Sequence, residues 1–244
     1  MGAYLIWGVL PFYLRLLKGV PAADVLAHRI LWTVLVVVLL ISGLKGWERV
    51  RAALRQPRLL LMLLASAVCI TINWGVYTWA ILAGHAIDTS LGYFINPLVS
   101  VLFGVVLLGE RLGRLQWVSV GLAALGVAVL TIERGSLPLV SLALALSFGV
   151  YGLIRKQAAV DTATGLFVET LLLAPMAALW VAQTPQGFAG WPPVTTMTLA
   201  LGGLATAVPL LLFGFAARRL PLSTLGLMQC VAPTMVLIEA VLLF

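Results

Sequence analysis

Charge is what this sequence has least of: Lys, Arg, Asp and Glu make up 9% of its 244 residues, against about 25% in soluble domains. With 62% hydrophobic residues and a mean hydropathy of +1.12, the chain has too little polar surface to meet water on all sides. A soluble globular domain is excluded. Histidine is scarce too. His28 and His85 stand far apart, and neither a His-Glu-x-x-His nor a Gly-x-Ser-x-Gly pattern occurs. An intramembrane enzyme would therefore lack its metal ligands, or its nucleophile and base. No catalytic residue, metal site or cofactor is expected. The two cysteines, Cys69 and Cys230, lie inside apolar runs, where a thiol packs as a small apolar group. Linkers and low-complexity stretches are missing as well. The net charge of +7 does not mark a nucleic-acid binder, because the basic residues sit in short gaps between apolar runs and not on one solvated face. Their role there is topological.

The apolar runs are the substance of the chain. Nine are read, at 3–17, 25–44, 59–83, 89–108, 115–132, 137–154, 165–182, 197–217 and 222–244. Most reach the roughly 20 residues that a helix needs to cross a bilayer, so the lipid bilayer is the first partner. The second, fourth, sixth and eighth connections hold Lys45, Arg49, Arg51, Arg55, Arg58, Arg111, Arg114, Arg155, Lys156, Arg218 and Arg219. The alternate connections hold Lys18 and Arg134, with Arg15 close by. That asymmetry places the N-terminus in the cytoplasm.

The fourth run carries an Asn96-Pro97 pair and ends in Gly109-Glu110-Arg111. Proline removes a helix donor and crowds the preceding turn, so the freed carbonyl needs a neighbour. The pattern returns later in the chain. Setting 73–92 over 207–226 aligns Thr89 with Ser223 and Leu91-Gly92 with Leu225-Gly226. A two-residue shift then sets Pro97 over Pro233. Ile6-Trp7-Gly8-Val9 lies over Ser147-Phe148-Gly149-Val150, and 20–31 over 160–171, which puts Arg29 on Glu169. A unit of five spans repeated once is inverted in the membrane, as in secondary transporters with a midplane site between the halves. The expected halves are 1–133 and 137–244. The second stops at the position matching Leu108, one helix short of the first, so about nine transmembrane helices are expected and a tenth is missing. A channel would want rings of charge or a carbonyl filter, built by the symmetry of several chains; a repeat within one chain favours alternating access. A homodimer is compatible with either.

Several blocks together resemble one family. They are Gly2-Ala3-Tyr4-Leu5-Ile6-Trp7-Gly8, Ala27-His28-Arg29-Ile30-Leu31-Trp32, Asn73-Trp74-Gly75-Val76-Tyr77-Thr78-Trp79-Ala80, Ser90 to Leu98, Leu108 to Leu112, Leu166 to Thr170, and Arg218 to Ser223. The chain is similar over nearly its whole length to the RarD branch of the drug/metabolite transporter superfamily, whose repeat is the EamA domain. The resemblance implies an all-α protein of ten helices, an inner-membrane location, and a link to chloramphenicol sensitivity or small-metabolite export. The chain departs from the family in its tenth helix and in Cys230-Val231-Ala232-Pro233, where a Tyr-Ile-Ala-Pro-like segment is expected.

Polar groups inside the apolar runs are the site candidates, because an ionised side chain there needs a partner or a cavity. Arg29 and Glu169, at repeat-related positions, are expected to pair with each other or to hold opposite ends of a substrate. A structural ion pair is the alternative. Asn73, Trp74, Tyr77, Tyr93, Asn96, Tyr151 and Gln229 complete the expected lining for a small, amphipathic, partly aromatic molecule; each amide or phenol could equally join two helices. Glu169 and Glu239 are candidates for proton coupling. Pro97, Pro209 and Pro233 are candidate hinges. Glu110 reads as part of a helix-terminating turn, with a gating ion pair as the alternative.

Overall fold

The computed structural model describes residues 1–134 and 139–235, with the side chains of 86–88, 90, 130, 133 and 134 excepted. The described residues form ten helices: α1 Gly2–Arg15, α2 Ala22–Gly43, α3 Trp47–Leu54, α4 Pro57–Leu82, α5 Ala86–Leu108, α6 Arg114–Arg134, α7 Leu139–Gln157, α8 Thr162–Gln183, α9 Pro193–Ala217 and α10 Leu222–Met228. Six of them, α2, α4, residues 91–108 of α5, α7, α8 and α9, are long and apolar enough to cross a membrane; α6 offers the shorter apolar stretch Arg114–Val129. The chain is a multi-pass membrane protein. Of the nine expected spans, α1 has 14 residues, fewer than the roughly 20 a crossing needs. The second connection, expected as a loop, contains the helix α3, a short segment that buries Val50 and Ala53.

Local chemistry sets the helix ends. Pro57 and Pro193 open α4 and α9, where a missing N–H costs nothing. Asp161 caps α8 by accepting the Thr164 N–H at 3.1 Å. Gly109 ends α5 at φ 66°, a left-handed conformation, and the following Glu110 N–H turns back to the Gly104 carbonyl at 2.9 Å. Pro11, Pro97, Pro175 and Pro209 sit inside continuous helices. Pro233 differs: helical bonding breaks at 229–230 and resumes over 231–235. Pro233 has no N–H to give the Gln229 carbonyl, which instead accepts from Ala232 at 3.1 Å.

The bundle packs α2 against α8 and α9, α4 against α7, α5 against α7 and α10, and α1 against α9, with α6 outside against α5. Each long helix turns large apolar side chains outward, among them Leu39, Leu61, Val106, Leu122, Leu146, Leu179 and Leu201. In lipid that surface gains nothing by burial, so close backbone approach and interhelical hydrogen bonds hold the helices together. Gly203 meets Trp32, and Gly226 meets Ser100 and Pro97. The four arginine-rich connections gather at one end: Arg49 lies 4.0 Å from Asp161 and Lys156 lies 3.6 Å from Glu110. At the other end Trp180 donates to Asp24 at 2.8 Å, and His28 stacks on Phe188.

Candidate functional site

At the centre of the bundle, Trp7 of α1 meets Phe148 of α7 edge to face, with ring centroids 5.3 Å apart. These two residues are set over each other in the repeat expected from the sequence. Phe213 and Tyr151 extend the cluster, with Phe148–Phe213 at 5.0 Å and Tyr151–Phe213 at 6.0 Å. Beside it lies a narrow cavity of about 20 Å³ lined by Trp7, Leu10, Arg29, Asn73, Trp74, Tyr77, Tyr93, Phe148 and Gln229. That is room for one water, so the site is too narrow here for an organic molecule.

Six of the nine expected binding residues meet there: Arg29, Asn73, Trp74, Tyr77, Tyr93 and Gln229. The aromatic wall supplied by Trp7 and Phe148 and the apolar Leu10 were missed. The one signal in the sequence was the alignment of Trp7-Gly8 with Phe148-Gly149 in the expected repeat, two aromatic residues each followed by a glycine. Arg29 is 1% exposed. Its Nε donates to the Thr206 hydroxyl at 3.0 Å and its Nη1 to the Thr78 hydroxyl at 3.3 Å, while its guanidinium carbon lies 5.3 Å from the Trp74 ring centroid. Asn73 donates to the Leu144 carbonyl at 2.9 Å and to the Ser147 hydroxyl at 3.1 Å, joining α4 to α7. Tyr77 and Tyr93 meet edge to face at 5.7 Å. Gln229, buried just past the end of α10, leaves its Nε2 without a hydrogen-bond partner among the described residues.

The expected pairing of Arg29 with Glu169 does not form. Glu169 Oε1 accepts from the Ser66 hydroxyl at 2.6 Å and lies 3.5 Å from Arg155 Nη1. Arg155, expected among the solvated charges of the sixth connection, is 2% exposed in the last turn of α7. Its Nη2 donates to the Thr162 carbonyl at 3.2 Å, and the absence of a side chain on Gly165 makes room for its guanidinium. A nearer cation thus takes Glu169, as expected where an unpaired buried carboxylate is so costly. Tyr151 and Glu169 are outside the cavity lining, and so is Asn96, buried in α5 with its Oδ1 unpartnered among the described residues. Glu239 lies outside the described residues.

Glu110 links the turn after α5 to the start of α10. Its Oε1 accepts the Leu222 N–H at 2.7 Å; its Oε2 accepts the Ser223 N–H at 2.9 Å and the Ser223 hydroxyl at 2.8 Å. Lys156 sits 3.6 Å from Oε1 and donates to the Leu220 carbonyl at 2.6 Å. The Gly109 turn is present as expected, and it aims Glu110 at the start of α10. Burial pushes the Glu110 carboxyl up, but the Ser223 and Leu222 N–H groups, the Ser223 hydroxyl and Lys156 together hold it below its ordinary value.

The model of the EamA-like transporter family matches residues 1–132. An uncharacterized transporter of Pseudomonas aeruginosa is 47% identical over 249 residues, covering 99% of this chain and 83% of that protein. Protein RarD of Escherichia coli is 42% identical over 245 residues, again covering 99% and 83%. A crystal structure matches 98% of this chain and 86% of its own with a TM-score of 0.72 at 21% identity, a likeness of fold.

Proposed function

The chain belongs to the EamA-like transporter family, in its RarD branch, and from that membership we propose that it is a secondary carrier moving a small amphipathic organic solute across a bacterial inner membrane by alternating access. The observation that carries this reading is the narrow central cavity of about 20 Å³, lined by helices of both proposed halves and too small for a continuous path. A channel needs a continuous path, whereas a carrier passes through states in which its site is shut on both sides.

The repeat supports rocking of two inverted halves. A Cβ added to Gly149 would lie 2.5 Å from Val99 of α5, and one added to Gly8 would lie 2.8 Å from the Met235 sulfur. Gly8 aligns with Gly149, and Val99, two residues past Pro97, aligns with Met235, two past Pro233. One close contact is thus made twice, each time between one half and the other. The broken backbone before Pro233 suits a hinge. Pro97 and Pro209, in continuous helices, would bend by smaller amounts. The gathering of the arginine-rich connections at one end supports a cytoplasmic N-terminus.

Glu169 is proposed as the proton-coupling group. It is a buried carboxylate with one oxygen lacking a hydrogen-bond partner among the described residues, and releasing Arg155 would require a proton to take the cation's place.

Reconstitution into proteoliposomes tests the carrier reading. Uptake of amphipathic aromatic solutes is expected to saturate with concentration and to respond to an imposed proton gradient, and Glu169→Gln to remove that response. Linear, ohmic conductance through the protein would contradict a carrier. A gradient response intact in Glu169→Gln would reject Glu169 alone.

A further inference from the structure

We propose that the central site takes an organic anion, a carboxylate on an aromatic body, with Arg29 as its counter-charge. This deepens the carrier reading and rests on it only for the fate of the bound molecule, not for binding itself. Arg29 is a fully buried cation whose two hydrogen bonds go to neutral threonine hydroxyls. Among the described residues no carboxylate lies within ion-pair distance of it. A guanidinium has five N–H donors in a planar fork that matches a carboxylate, and Nη2 has no hydrogen-bond partner among the described residues. The other deeply buried arginine, Arg155, has its own acid at 3.5 Å, so the chain neutralises one buried cation and leaves the other for a visitor.

The walls add the second half of the specificity. Arg29 stands over the Trp74 ring, and Trp7, Tyr93 and Phe148 face the same cavity, surfaces on which a flat ring stacks or meets edge to face. Gln229 Nε2, a free donor in that lining, would reach a carboxylate oxygen or a ring substituent. Two donors and no acidic group discriminate against amines. Because the cavity is too narrow for an organic molecule, binding must accompany separation of the helices, and the charge preference should appear in affinity whichever way the protein then opens.

The test is binding to the purified whole chain in detergent micelles, read by tryptophan fluorescence and calorimetry, with four probes: phenylacetate, its neutral isostere phenylacetamide, phenethylammonium, and acetate. Phenylacetate is expected to bind at least about tenfold more tightly than each of the others. Arg29→Gln should erase its advantage over phenylacetamide, and Arg29→Lys should keep part of it. Wild-type protein that binds phenylacetamide or phenethylammonium as tightly as phenylacetate, or binds none of the four, overturns the proposal without any variant. Acetate binding as tightly as phenylacetate would overturn the aromatic half. An anion preference appearing only in Glu239→Gln would assign Arg29 to an acid of the chain itself and overturn the counter-charge. Selective phenylacetate binding without vesicle uptake would sink the carrier and keep the anion site; saturable uptake of neutral solute alone would do the reverse.

Discussion

At the scale of single residues, Glu110 ties the end of α5 to the start of α10, with three hydrogen bonds to one carboxylate. Hydrogen bonds to an ionised acceptor contribute more than neutral ones, so Glu110→Ala is expected to cost about 2 kcal/mol. The pH dependence has a definite sign. A carboxyl held below its ordinary value of 4.5 contributes stability that is complete well above that value and lost as the pH falls through the lowered one. The gap in melting temperature between wild type and Glu110→Gln should therefore be full near about pH 7 and shrink only below the ordinary carboxylate range. A gap independent of pH would refute the ionised link. The Gly109-Glu110 turn was legible in the sequence because a glycine at a helix end follows a local rule. The partner of Glu110, 112 residues away, was not legible, since no local pattern marks which helix start an acid will reach. The same holds for Glu169. Its burial could be read from the apolar run around it, but its partnership with Arg155 depends on how far α7 turns that guanidinium inward.

Among the helices, small residues decide where backbones meet. A Cβ on Gly203 of α9 would lie 2.6 Å from the backbone carbon of Trp32 in α2, and a backbone atom cannot swing aside as a side-chain tip can. Gly203→Ala is expected to destabilise the protein by about 1–3 kcal/mol through overpacking. In α6, by contrast, a Cβ on Gly126 meets nothing within 4 Å, so Gly126→Ala should leave the melting temperature unchanged or raise it slightly through helix propensity. Thermal unfolding of both variants in one detergent checks the pair; equal losses would contradict this account of the α2–α9 contact. Most of the elements could be read from apolar run length, because lipid permits little besides helix. The run 89–108 became α5, Ala86–Leu108, with only its start displaced. The helix α3 escaped because it has 8 residues with charges at close intervals, and run length detects only what is uniformly apolar. The break before Pro233 escaped for another reason: Pro97 and Pro209 stand in continuous helices, so proline alone does not say which carbonyl finds a substitute donor.

For the whole molecule, the distribution of charge and the proposed internal repeat are the grounds for reading two halves that meet around a narrow centre. The positive connections collect at one end, where Lys156 and Glu110 meet, and Trp7 touches its repeat-related counterpart Phe148 at the middle. The register drawn from sequence sets Trp7 over Phe148 without predicting that they touch, and the size of the cavity had no signature in composition or spacing. The central claim is that the site opens to one side at a time. Solute counterflow tests it most directly, with proteoliposomes and whichever of the aromatic probes binds the wild-type chain. Alternating access predicts that unlabelled probe loaded inside the vesicles accelerates entry of labelled probe, and that the entry rate saturates outside. Entry that rises linearly with concentration and ignores the internal load would contradict it.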